Sequence, residues 1–138
     1  MVGDRELVLA ALAARERAYA PYSGFAVGAA LLGKSGKVYP GCNVENAAFT
    51  PGCCAERAAF FRAVCDGERK FSAIAVVGGK AGGPALDFCP PCGVCRQAMA
   101  EFCDPAAFRV LLAKSPGERR GYTLGELLPL SFGLGEKE

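Results

Sequence analysis

Three cysteines stand where two helices should begin, and their spacing is well suited to chemistry. Cys54 precedes Ala55-Glu56-Arg57 at the head of one helical segment, and Cys92-Gly93-Val94-Cys95 opens another. A helix N-terminus carries the positive end of the backbone dipole, so a thiol placed there loses its proton more readily. Pro91 has no backbone N–H and suits the first position of the second helix. Thiolates converging from two helices at this spacing suggest zinc. A structural zinc closes its tetrahedron with four protein ligands, whereas a catalytic one keeps a position open for water. Cys54, Cys92 and Cys95 supply three ligands, and Glu56 can stand beside the open position as a proton carrier.

The remaining cysteines leave alternatives open. The chain has eight cysteines and no histidine, which excludes a histidine triad, a histidine general base and any histidine-ligated zinc. Cys42, Cys65 and Cys103 lie in or beside apolar segments and read as buried, inert thiols. Cys53 and Cys89 adjoin the expected ligands, so a closed four-cysteine structural zinc using either one is a competing arrangement. Against it, the two prolines of Cys89-Pro90-Pro91-Cys92 remove the N–H donors of a metal knuckle, while Gly93-Val94 keeps them. A thiol redox protein would use the same CxxC pairs but lacks a thioredoxin-like βαβ setting. A zinc-stabilised binding module without catalysis is the third alternative.

The elements around these residues can be read from periodicity. Leu7, Val8, Ala11, Leu12 and Ala18 fall at helical spacing over residues 4–18, leaving Arg15, Glu16 and Arg17 for solvent. Residues 25–32 are almost wholly apolar or glycine, which predicts a strand covered on both faces. A hairpin turn at 33–36 leads to a strand over 37–42, and 43–52 reads as a loop. A helix over 55–65 is expected to bury Ala58, Ala59, Phe61 and Ala63. A strand follows at 72–77, then a flexible stretch at 78–84 and a helix from Cys92 to about Phe102. Strands at 109–113 and 121–123 and a helical turn at 124–128 complete the chain. This order predicts an α/β fold, a three-layer α/β/α sandwich around a mixed, mainly five-stranded sheet, with residues 1–138 forming one domain.

Composition narrows the class further. Sixteen basic and fourteen acidic residues give a net charge of +2, without the basic stripe expected of a nucleic-acid binder. Asp4, Arg5 and Glu6 interrupt the place of a signal peptide, and the longest apolar run is far short of the ~20 residues that span a bilayer. The expectation is a cytoplasmic protein with reduced thiols and no membrane partner.

Cys54-Ala55-Glu56-Arg57 followed by Pro91-Cys92-Gly93-Val94-Cys95-Arg96-Gln97 resembles the zinc signature of the cytidine deaminases, in the short form that carries cysteine where relatives carry histidine. Tyr22-Ser23-Gly24-Phe25-Ala26-Val27-Gly28-Ala29-Ala30-Leu31, Gly41-Cys42-Asn43-Val44-Glu45-Asn46-Ala47-Ala48 and the C-terminal Leu127-Leu128-Pro129 with Phe132 match the same family, so the resemblance covers nearly the whole chain. It implies hydrolytic deamination of cytidine and 2′-deoxycytidine, with one zinc per subunit on Cys54, Cys92 and Cys95. Glu56 would be the proton carrier, and the Ala55 N–H would hold the ring O2. Asn43 and Glu45 would bind the ribose 3′-hydroxyl, and Phe25 would pack along the nucleoside. Ala47, Phe49 and Phe132 would reach a neighbour's site in a homotetramer. Many short-form members have tyrosine at the position of Phe49, whose ring here lacks that hydroxyl. A related deaminase acts on the antibiotic blasticidin S, but the Asn43-Val44-Glu45-Asn46 loop favours cytidine. Three thiolates around Zn²⁺ leave a local charge of about −1, which weakens the metal as a Lewis acid. Guanidinium bonds to sulfur from Arg57 and Arg96 are expected to offset it, Arg57 carrying more.

Overall fold

The computed structural model describes residues 2–135. Five strands form one mixed sheet in the order β2-β1-β3-β4-β5: β1 (Phe25–Gly33), β2 (Val38–Cys42), β3 (Phe71–Lys80), β4 (Arg109–Ser115) and β5 (Glu118–Thr123). β1 pairs antiparallel with both β2 and β3, and β4 pairs antiparallel with β5. The β3–β4 pair is parallel and so needs a crossover, which α3 (Gly93–Phe102) supplies.

Helices cover both faces, giving the expected three layers. α1 (Asp4–Arg15) buries Leu7, Val8 and Ala11 against Ala30, Ala75, Val77 and Leu111 on one face. α2 (Ala55–Cys65) and α3 pack on the other, over Ala29, Leu31, Ile74, Val76 and Val110, together with Leu124 of the short α4 (Leu124–Leu127). β1 contributes to both clusters, as its unbroken apolar run predicts.

Several boundaries differ from the sequence reading. α1 stops at Arg15 because the next turns tighten, with Arg17 N–H bonding Ala14 O and Ala18 N–H bonding Arg15 O. Arg15 itself is buried rather than solvated. In α2 the phase of the inward face is 55, 56, 59, 60 and 63, so Phe60 is buried and Phe61 is exposed. Phe60 packs against Phe71 at 5.0 Å between ring centroids and against Phe108 at 6.0 Å. β3 continues through Gly78-Gly79-Lys80, since Val27, Ala26 and Phe25 pair with those residues. β5 begins at Glu118, three residues before its expected start. Cys65 is exposed, not buried; Cys103 is buried, which pushes its thiol up to about 12.

One close approach sets the height of the helix that starts the candidate site. A Cβ on Gly41 would lie 2.4 Å from Ala55 O and 2.5 Å from Ala59 N, so the first turns of α2 rest directly on β2. Gly41→Ala is expected to cost about 2–3 kcal/mol through overpacking against rigid backbone. Gly117, with open space around it, should tolerate alanine within about 0.5 kcal/mol. Urea unfolding of the two variants checks the contrast.

Candidate metal centre

Both ends of the cysteine constellation are helix caps. Cys54 is the N-cap of α2 and Cys92 the N-cap of α3, and neither side chain makes a capping hydrogen bond. Their sulfurs instead face each other at 4.0 Å, and Cys95, in the first turn of α3, places its sulfur 3.5 Å from that of Cys92. All three sulfurs lie within 4.8 Å of one another. Sulfurs bound to zinc at about 2.3 Å in a tetrahedron lie about 3.8 Å apart, so the donor set fits the ion. Cys53 and Cys89 lie outside this cluster, their thiols directed at Cys54 O and Asp87 O. Among the described residues, the group that can hold a metal therefore has three members, as the open-site reading requires.

The sulfurs do not share charge equally. The hydrogen bond from the Cys95 thiol, aided by Arg57, draws Cys54 down to about 5. The same bond, with burial and the nearby Glu56, pushes Cys95 well above the usual thiol range. Within this pair Cys54 is the more acidic sulfur and Cys95 the less acidic. Arg57 Nη2 lies 3.5 Å from Cys54 Sγ, and the sulfurs of Cys54 and Cys95 hold that guanidinium more firmly protonated. Arg57 Nε is buried without a partner among the described residues. The hydrogen bonds of Arg96 run elsewhere. Its Nε donates to Pro91 O at 2.7 Å and its Nη1 to Leu127 O at 2.6 Å, fastening the turn before Cys92 to α4. The expected guanidinium–sulfur contact is thus made by Arg57, whereas Arg96 braces the backbone.

Glu56, 4% exposed, follows the Cys54 cap. Burial raises its pKa, and its own backbone N–H, Cys95 and Arg57 only partly counter that. Glu56 lines a cavity of about 230 Å³ with Phe25, Asn43, Cys54, Ala55 and Cys92, its remaining walls being Val27, Val76, Cys89 and Pro90. Phe25 opens β1 at the mouth of this cavity and is 38% exposed.

Asn43 and Glu45 approach from the loop after β2. Asn43 Oδ1 accepts from Val27 N–H at 2.8 Å, and its Nδ2 donates to Phe25 O at 2.9 Å. One N–H and one lone pair of that amide remain for a ligand. Glu45 accepts from the Tyr22 and Ser23 backbone N–H groups at 2.9 and 3.1 Å and from the Ser23 hydroxyl. These bonds, the hydroxyl first, hold its carboxyl below the usual range, so it is ionised at neutral pH. Three of its roughly four acceptor sites are used. Asn43 and Cys54 also border a wider concavity of about 540 Å³ that includes Glu45, Phe49 and Arg57. Ala47 and Phe132 lie on the surface, outside the inner cavity. Sequence reasoning assigned no role to Ser23, whose hydroxyl and N–H anchor Glu45, or to Cys89 and Val76 as cavity walls. Ser23 stands inside a quoted motif and was detectable there, whereas cavity walls emerge only when distant strands meet.

Three thiols at zinc spacing beside a buried carboxyl, on a three-layer α/β/α frame, define a hydrolytic zinc site of the deaminase class. The family described as the cytidine and deoxycytidylate deaminase zinc-binding region matches residues 1–110. The cytidine deaminase of Sporosarcina psychrophila is 47% identical over 127 residues, covering 92% of this chain and 89% of its own. That of Halalkalibacterium halodurans is 48% identical over 130 residues, 94% of each. The crystal structure of cytidine deaminase from Burkholderia pseudomallei superposes with a TM-score of 0.85 at 47% identity, over 95% of this chain and 100% of that one. The Mycobacterium tuberculosis enzyme gives 0.78 at 39%, over 97% and 100%. The chain belongs to the cytidine and deoxycytidylate deaminase family, and one zinc ion per chain is its cofactor.

Because a thiol must lose its proton to ligate a metal, and the bond to Cys54 and burial hold the Cys95 thiol up, zinc binding is coupled to pH. Calorimetry of chelator-stripped protein in buffers of different ionisation enthalpy should show at least one proton released per zinc near pH 7. Affinity should fall about tenfold per pH unit per proton on acidification. Proton-neutral binding would contradict the charge distribution described above.

Proposed function

We propose that this chain deaminates cytidine and 2′-deoxycytidine hydrolytically, yielding uridine or 2′-deoxyuridine and ammonia. The observation that carries this reading is the buried carboxyl of Glu56 in one cavity with Cys54 and Cys92, whose sulfurs cluster with that of Cys95, within a chain of this family. Zinc held by those three sulfurs would supply the Lewis acidity that activates water. Glu56 would take a proton from that water, give it to ring N3 and later assist protonation of the leaving amine. A carboxyl whose affinity for protons is raised by burial suits both directions of transfer. The Ala55 N–H, at the start of α2, would hold the pyrimidine O2. The spare amide valences of Asn43 and the free acceptor site of Glu45 would take the ribose 3′-hydroxyl, while Phe25 would pack along the nucleoside. Arg57 would draw charge from Cys54, and Arg96 would keep the Cys92 turn in place.

Glu56→Gln keeps the volume and removes the proton transfer. Its kcat should fall by about 10²–10⁴-fold with zinc content unchanged, followed by ultraviolet loss of cytidine. Zinc-loaded wild-type protein that deaminates neither cytidine nor deoxycytidine would overturn the reading.

The assembly proposed is a cytoplasmic homotetramer whose sites are completed by Ala47, Phe49 and Phe132 of neighbours, each chain being one domain over residues 1–138. Phe49 is 82% exposed and has φ of +63°, a conformation that bulky side chains rarely adopt. Its loop is closed by Phe49 N–H to Asn46 O and Gly52 N–H to Phe49 O, so the ring is projected outward. Phe132 is 68% exposed, and Gln97 Nε2 bonds its carbonyl. Exposed rings held by local bonds suit an interface. No helix of the described residues is long and apolar enough to cross a membrane, and the small net charge favours a free nucleoside over nucleic acid. Sedimentation should give four chain masses, and Phe49→Asp with Phe132→Asp should dissociate the assembly and lower its activity together. A fully active monomer would refute the shared sites.

A further inference from the structure

Among the described residues, two charged side chains are buried, Glu56 and Arg15, and they lie on opposite sides of the sheet. Arg15, 6% exposed, ends α1. Its guanidinium bonds backbone: Nε donates to Ala26 O at 3.1 Å and Nη2 to Lys80 O at 2.8 Å. Ala26 follows Phe25 on β1, and Lys80 is the register partner of Phe25 on β3. The two bonds therefore clasp the adjoining strand ends directly behind the ring at the cavity mouth.

Two glycines make this clasp possible. A Cβ on Gly28 would lie 2.1 Å from Ala11 O and 2.5 Å from Arg15 N, so α1 rests on β1 at the point where Arg15 leaves the helix. A Cβ on Gly79 would lie 2.5 Å from Pro84 O, 3.0 Å from Ala85 Cα and 3.2 Å from Arg15 Nη2, so the loop after β3 and the guanidinium share the bare backbone there. From the cavity side, Asn43 holds the flanking groups, Phe25 O and Val27 N–H. The peptide units around Phe25 are thus gripped by the Asn43 amide along the strand edge that continues β2 and by a guanidinium from the α1 side. A cation at the C-terminus of α1 also meets the negative end of that helix, which offsets part of its desolvation.

We infer that Arg15 is a positioning residue for nucleoside binding, fixing Phe25 through Ala26 O and Lys80 O from the far face of the sheet. This rests on the reading that Phe25 packs along the nucleoside.

The test is a double-mutant cycle on the zinc-loaded enzyme with cytidine. Arg15→Gln should raise KM about tenfold while kcat stays within about twofold and zinc remains stoichiometric. Phe25→Ala should raise KM by itself. On that background Arg15→Gln should add no more than about twofold, since the ring it positions is gone. If the two KM factors multiply as independent effects, or if Arg15→Gln lowers the melting temperature without moving KM, Arg15 is merely structural and the inference is overturned. Should Arg15→Gln fail to fold, Arg15→Lys enters the same cycle: it keeps the charge and the stem but loses the fork, with an expected KM rise of about threefold. An unchanged KM for Phe25→Ala alone would refute the reading of Phe25, and with it this inference, before Arg15 is varied.

Discussion

The sulfurs of Cys54 and Cys92 face each other at 4.0 Å across 38 residues of chain, and holding two helix starts in that register is the constraint on which the rest of the structure depends. α2 reaches its place because Gly41 lets its first turns rest on β2. α3 reaches its place because β3 and β4 run parallel, which obliges the intervening chain to cross one face of the sheet. Arg96 then fixes the turn before Cys92 by bonding Pro91 O. None of these contacts touches a ligand atom, yet each determines where a sulfur lies.

Charge is arranged around the same point. With no histidine in the chain, every protein donor of the metal is a thiolate, and the surroundings must carry the resulting negative charge. Two helix N-termini and the Arg57 guanidinium do so, the latter at 3.5 Å from Cys54 Sγ. Glu56 is kept out of this compensation by burial, which favours its protonated form and suits the carrier role proposed for it. Cys54 and Glu56 are two positions apart in sequence but electrostatically distinct.

Features with local chemical signatures were the legible ones. The three-cysteine cluster and the doubly covered β1 follow from cap position, spacing and an unbroken apolar run. The family motifs added the Asn43 and Glu45 loop, but not Ser23 as its anchor. Phe60 and Phe61 are adjacent on an apolar-rich helix and differ only in phase, so periodicity alone does not separate the buried ring from the exposed one. Gly78-Gly79-Lys80 read as flexible because glycine has little strand propensity, yet pairing with β1 makes them strand. Arg15 read as solvated because its burial depends on Gly28 and Gly79, thirteen and sixty-four positions away. The fate of Arg96 was decided by a carbonyl of α4, at a sequence separation of 31 residues. Local pattern could not disclose long-range partners of this kind.

The parallel crossover also gives the metal a part in folding. Cys92 and Cys95 lie at the start of the helix that bridges β3 and β4, whereas Cys54 caps a helix seated on the edge strand β2. An ion held by all three sulfurs would therefore tie the β2 edge to the β3–β4 half of the sheet through the helices above it. Opening the central strands separates two ligands from the third, so tight retention of zinc and an intact sheet are one cooperative event.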